Sequence, residues 1–76
     1  MNVNYKRLGE KIKKERLINK LTQAKLAEKV GISPTFLGQI ERGEKIPSLE
    51  TIVNIAVTLL HRPRSVYRNS GYYILK

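Results

Sequence analysis

Residues 22–43 carry two helix starts and two helix stops within one short stretch, and this punctuation constrains the fold more than any other feature. Thr22 precedes Gln23-Ala24-Lys25-Leu26-Ala27-Glu28-Lys29-Val30. Its hydroxyl can accept one of the backbone N–H groups that the first turn of a helix leaves unpaired. Ser33 holds the same position before a second segment, with Pro34 at the first helical residue, where a missing N–H does no harm. Gly31 and Gly43 close the two segments, because glycine enters the left-handed region without the penalty that a Cβ brings. The pattern predicts a helix over about Gln23 to Val30, a tight turn through Ile32, and a second helix over about Pro34 to Arg42.

Helices this short cannot stand alone, so the flanking sequence must supply their packing. Upstream, residues 5–18 place Leu8, Ile12 and Arg16 in one row of a helix, with Lys6, Arg7, Lys11, Lys13 and Lys14 on the other faces. Asn19 and Lys20 end that helix, and Leu21 turns back toward the core. In the second helix Leu26, Ala27 and Val30 form the apolar stripe, Ala27 being small enough for another helix to cross closely. In the third, Leu37 and Ile40 point inward, leaving Thr35, Gly38, Gln39 and Arg42 outward. Gly38 costs ~1 kcal/mol of helix propensity relative to Ala. Close approach to a ligand and simple tolerance are equally good reasons for it. After the loop Gly43-Glu44-Lys45-Ile46-Pro47, Ser48 caps a fourth helix over about Leu49 to Leu60, with Ile52, Ile55, Ala56 and Leu59 as its core stripe. Val53, Val57 and Leu60 lie off the stripe on a face without charge, which marks either a partner surface or a bed for the tail. In that tail Pro63 opens a short fifth helix through Tyr67, Ser70-Gly71 is a turn, and Tyr72 to Leu75 is β-prone. The tail has three open fates: pairing with a second copy, covering the fourth helix, or disorder.

Composition narrows what this arrangement serves. A chain of 76 residues builds one small core, and with no Cys it has neither a disulfide framework nor a Cys/His zinc site. Stability then comes from packed helices or from a second copy. The net charge of +9 suits a phosphate-bearing partner, although many small basic proteins have none. Residues 1–21 hold seven basic and two acidic side chains, a local net charge of +5. The N-terminus lacks the apolar run of a signal peptide. The longest apolar-rich stretch, Ile52 to Leu60, is interrupted by Asn54 and Thr58 and falls far short of the ~20 residues that span a bilayer. The expectation is a cytoplasmic protein with no membrane partner. His61 is the only histidine and has no carboxylate near it in sequence, and no phosphate-binding glycine loop is present. The expected protein is not an enzyme and needs no metal, cofactor or small-molecule ligand. A helix, a short turn and a second helix is, by contrast, the arrangement that seats one helix in the major groove of DNA.

Several motifs together extend this reading. They are Arg16, Leu21-Thr22-Gln23, Leu26-Ala27, Gly31-Ile32-Ser33, Phe36-Leu37, Gln39-Ile40-Glu41-Arg42-Gly43 and Pro47-Ser48-Leu49. In this joint spacing the chain resembles the Cro/repressor-type, lambda repressor-like helix-turn-helix regulators over about Leu8 to Leu60. The resemblance implies an all-α, compact bundle of four to five helices, followed here by the β-prone tail. It also implies a helix-turn-helix domain over residues 1–67, with 68–76 as a tail. The third helix becomes the recognition helix of a homodimer that binds double-stranded DNA. By position, Ser33, Thr35 and Gln39 match base-facing residues, and Gln carries the donor–acceptor pair that reads adenine bidentately. Gln23, Phe36, Arg42 and Lys45 match positions that meet the DNA backbone, where contacts set affinity and register. Phe36 has a second reading, as packing beneath the second helix. Arg16 and Glu41 match a structural ion pair. Dimer contacts fall to Val53, Val57, Leu60, Tyr72 and Ile74. The function implied is a transcriptional regulator, a repressor in the first instance, on a pseudo-palindromic operator. An antitoxin that binds a toxin and represses its own operon is the alternative.

The departures from the family pattern are informative. Lys20 stands where Gly or Asn is usual, so a Lys there would adopt a strained left-handed backbone. Lys25 replaces the acidic residue of a capping box. Pro34 and Gly38 remove two side chains that often read bases, which shifts weight toward DNA shape.

Overall fold

The computed structural model describes residues 3–60. Four helices follow one another there: α1 (Tyr5–Ile18), α2 (Gln23–Val30), α3 (Pro34–Glu41) and α4 (Leu49–Leu60). The all-α bundle expected from the sequence is the fold. Each helix begins where a side chain takes up an unpaired amide. Asn4 accepts from the Arg7 N–H at 3.0 Å, Thr22 from Lys25 at 3.0 Å, Ser33 from Phe36 at 3.0 Å and Ser48 from Thr51 at 3.1 Å. α2 stops at Gly31 with φ 88°, and α3 ends one residue earlier than expected, with Arg42 as its cap and Gly43 following at φ 76°. Lys20 does adopt the left-handed conformation, at φ 60°. There the Lys20 N–H donates to the Leu17 carbonyl at 2.9 Å and the Leu21 N–H to that of Arg16 at 3.1 Å, closing the turn that brings Leu21 back to the core.

The core gathers one or two residues from each helix: Ile12, Leu26, Ala27, Leu37, Ile40, Ile55 and Leu59. Leu26, Leu37, Ile40 and Ile55 are fully buried, and each contributes ~1.5–3 kcal/mol by leaving water. Leu8, Leu21, Val30, Ile32 and Phe36 close around them. α3 lies at the centre, against both α1 and α2. Its closeness to α1 depends on Gly9, a buried residue whose missing Cβ would overlap the carbonyl oxygens of Ile40 and Glu41.

α4 departs from expectation. Ile55 and Leu59 are buried, but Ile52 is half-buried and Ala56 exposed. α4 packs on α2 and touches α1 less, so only the row facing α2 and the core goes fully inside. Between α1 and α4 an apolar groove of about 350 Å³ remains, walled by Leu8, Ile12, Ile52, Ile55 and Leu59. The expected fifth helix, the β-prone strand and the 67/68 boundary lie outside the described residues.

Candidate nucleic-acid interface

The outer face of α3 is polar and uncharged. Ser33, Pro34 and Thr35 are exposed at its N-terminal end, and Gln39 is half-buried one turn further on. No acidic residue occupies the first turn of α1, α2 or α3, so the positive ends of these helix dipoles carry no local anion. Phe36 is half-buried and packs against the core, the second of its two sequence readings.

Behind this face, one carboxylate ties three helices together. Glu41, at the end of α3, accepts from Arg16 Nε at 2.7 Å and from Arg16 Nη2 at 3.2 Å, a two-point contact from α1. The pair is buried, with 8% of the arginine side chain and 2% of the glutamate side chain exposed. Arg16 Nη1 spends its donor on the Leu21 carbonyl oxygen at 2.8 Å, which fixes the turn after α1. The first residue of α2 joins as well: Gln23 Nε2 donates to Glu41 Oε1 at 2.9 Å. The glutamine expected to meet the DNA backbone is therefore held by the same group that positions α3.

Gly38 lies on α3 one turn before Arg42. It is buried, and its surface is covered by side chains. A Cβ built on it would stand 3.2 Å from Arg42 Nη1, 3.4 Å from Gln23 Nε2 and 3.6 Å from Gln23 Oε1. The Arg42 guanidinium thus lies back over Gly38, one turn earlier on α3, at a distance a Cβ would crowd. Its guanidinium is also engaged by Glu44, through Nε at 2.8 Å and Nη2 at 3.1 Å. Those hydrogen bonds raise the Arg42 pKa and lower that of Glu44. Lys45 is exposed on the same loop. A Cβ on Gly43 would come within 2.8 Å of Lys6 Cα, so the start of α1, with its Lys6, abuts this basic loop.

Three of these features escaped the sequence reading. Gly9 gave no signal, since a glycine in mid-helix announces neither turn nor ligand. The cover over Gly38 was half legible, in the i, i+4 spacing of Gly38 and Arg42, but Gln23 arrives there only through tertiary packing. Glu44 pairs with Arg42 across the end of a helix, where no periodic rule applies.

On α4 the off-stripe residues Val53, Val57 and Leu60 are exposed, as are Leu49 at the start of the helix and Ile46 in the loop before it. Tyr72 and Ile74 lie outside the described residues. Among the described residues no group of His, Cys, Asp and Glu is arranged to hold a metal, and no helix is long and apolar enough to cross a membrane.

This geometry is that of a helix-turn-helix unit, and the helix-turn-helix family model matches residues 12–59. The chain belongs to that family, in its Cro/C1-type branch of non-enzymatic DNA-binding regulators. Among its curated relatives is the "ImmF control region 10 kDa protein" of Bacillus phage phi105, 39% identical over 54 residues, covering 71% of this chain and 60% of the relative. The "Immunity repressor protein" of the same phage is 44% identical over 52 residues, 68% of this chain and 36% of the repressor. "Control protein C.SmaI" of Serratia marcescens is 38% identical over 52 residues, 68% of this chain and 62% of that protein. The chain thus spans about a third to three fifths of the length of these relatives. No solved structure matches it significantly.

Proposed function

We propose that this chain is a cytoplasmic, sequence-specific regulator of transcription that binds a pseudo-palindromic operator in double-stranded DNA as a homodimer, and that it represses. The observation that carries the reading is α3 itself. Its outward surface is uncharged and polar, and it is gripped from behind by the Arg16–Glu41–Gln23 network, so the helix is presented rigidly. Ser33, Thr35 and Gln39 read base edges. Gln23, Arg42, Lys45 and the exposed edge of Phe36 set the register on the backbone. Dimerisation uses the uncharged face of α4 around Val53, Val57 and Leu60, which gives two recognition helices to a two-fold site. Repression, rather than activation, is favoured by the relatives named for immunity repression and control.

The test is selection of bound duplexes from a random pool, followed by binding to the selected site and a scrambled duplex at physiological salt. The expected product is a two-fold motif whose half-sites are centred about 34 Å apart or a multiple of that. Equal affinity for selected and scrambled duplexes would refute the proposal.

A further inference from the structure

We infer that Pro34 reads the C5-methyl group of one thymine in each half-site, so that the tip of α3 specifies sequence there without a hydrogen bond. The inference rests on the proposal that α3 lies in the major groove, and it adds a specificity-determining residue to that reading. A recognition helix enters the groove with its N-terminal residues nearest the base edges. At that end of α3 stand Ser33, Pro34 and Thr35, all exposed. Gly38, one turn on, is buried with Arg42 and Gln23 atoms around it and has no side chain to offer. The reading surface is thus short, and Pro34 is a large part of it.

The tip of α3 offers few hydrogen-bonding groups. Proline has no N–H. The Ser33 hydroxyl accepts from the Phe36 N–H at 3.0 Å, and the Ser33 carbonyl oxygen accepts from the Leu37 N–H at 3.0 Å. The first turn, Pro34 to Leu37, carries no charge. Pro34 therefore brings to the groove a bare hydrocarbon ring, on a backbone held still by its own ring and by the Ser33 cap. Among the base-pair edges of the major groove the one apolar group is a C5-methyl, which in unmodified DNA belongs to thymine. A cytosine amino group set against the ring would lose its water and gain no partner, so the same ring that accepts a methyl disfavours that base. Pro34 and Gln39 are ~7.5 Å apart along the helix axis at 1.5 Å per residue. That is about two base-pair steps of ~3.4 Å, which places the thymine about two base pairs from the base that Gln39 reads.

The experiment is fluorescence anisotropy on the selected duplex at several salt concentrations, with each thymine of the half-site replaced in turn by deoxyuridine in both half-sites. The replacement removes the methyl and nothing else. One such thymine, about two base pairs from the position that Gln39→Ala relaxes, should matter to the wild type. Its loss should weaken binding about fourfold per methyl, the scale of burying one methyl-sized group, and on the order of tenfold for the two-fold site. The ratio should hold across salt, because the contact carries no charge. Pro34→Ser should keep its Tm within a few degrees of wild type, yet bind the thymine and deoxyuridine duplexes equally. Pro34→Val, which restores an apolar side chain, should recover the preference for the methyl. A 5-methylcytosine at the same position should bind the wild type better than cytosine by about the same factor per methyl, and less well than thymine.

Wild-type binding that no deoxyuridine weakens would overturn the assignment. So would a methyl effect of equal size in the wild type and Pro34→Ser, which would place the influence of the methyl in the shape of the DNA. Tighter binding to 5-methylcytosine than to thymine would make the modified base the ligand and overturn the choice of thymine. If the wild type binds selected and scrambled duplexes equally, the proposed function and this role fall together; if it discriminates between them and no methyl matters, only the role of Pro34 falls.

Discussion

Removing the Arg16 side chain tests the central tie most directly. Arg16→Ala deletes three hydrogen bonds at 2.7, 2.8 and 3.2 Å, two of them to a glutamate that is 2% exposed. Glu41 would then be left as a buried carboxylate with Gln23 as its remaining partner, and the Leu21 carbonyl would lose its donor. Breaking a buried pair from one side costs ~3–5 kcal/mol, because the orphaned charge stays desolvated. At ~0.05–0.15 kcal/mol per residue, a 76-residue chain has roughly 4–11 kcal/mol of total stability. The substitution should therefore remove about a quarter or more of that total. Each kcal/mol corresponds to ~4–8 °C in a domain of this size, so Tm should fall by at least 12 °C or the fold should fail outright. Urea and thermal unfolding followed by far-ultraviolet circular dichroism would measure it. A companion, Arg16→Met with Glu41→Leu, should recover much of the lost stability, since replacing both charges by apolar groups leaves nothing orphaned. An Arg16→Ala protein melting within 3 °C of wild type would refute the reasoning, whatever its DNA affinity.

Other outcomes follow from single features. Gln39→Ala should relax base preference at one position per half-site, whereas Lys45→Ala should weaken all duplexes alike and lower the salt slope by about one, readable in the same anisotropy series. Lys20→Gly should raise stability by ~0.5–1 kcal/mol, because the left-handed backbone at φ 60° penalises a Cβ more than glycine's extra chain entropy costs; a lower Tm would contradict that. Glu44 should titrate below its ordinary value of 4.5 by carboxyl NMR, because Arg42 hydrogen bonds hold its charged form. The Arg42–Glu44 contact is accordingly complete above that value and fades as pH falls through the lowered one, and Arg42→Ala should return the midpoint to normal. Val57→Lys should leave the monomer's fold intact while abolishing dimers in sedimentation and weakening binding to the two-fold site.

Much of this fold was legible in the sequence because its local signals are non-conflicting. Thr22, Ser33 and Ser48 all cap as their positions imply, and Gly31 and Gly43 take the left-handed conformations that only their lack of a side chain makes easy. The apolar rows of α2 and α3 predicted the core for the same reason, being eight-residue helices with one inward face each. α4 was less legible. Four apolar types surround it, so periodicity alone could not tell that the Ile55–Leu59 row would be chosen over Ala56. The candidate interface was legible where a single residue's chemistry sufficed, as with Gln39. It was not legible where the feature is a meeting of distant residues, as over Gly38, or a crossing distance between helices, as at Gly9.

The placement of Glu41 has a consequence for how such a chain can change over generations. One inward-facing carboxylate holds α1, α2 and α3 in register, while Ser33, Thr35 and Gln39 contribute no side-chain contact to it. Mutations at Thr35 and Gln39 can accumulate with little penalty to the scaffold, so new target sequences can be explored without compensating changes elsewhere, whereas Ser33 is bound to its second duty as the cap of α3. Drift at Arg16, Gln23 or Glu41 has no such freedom, because each change there alters the helix register that every outer residue inherits.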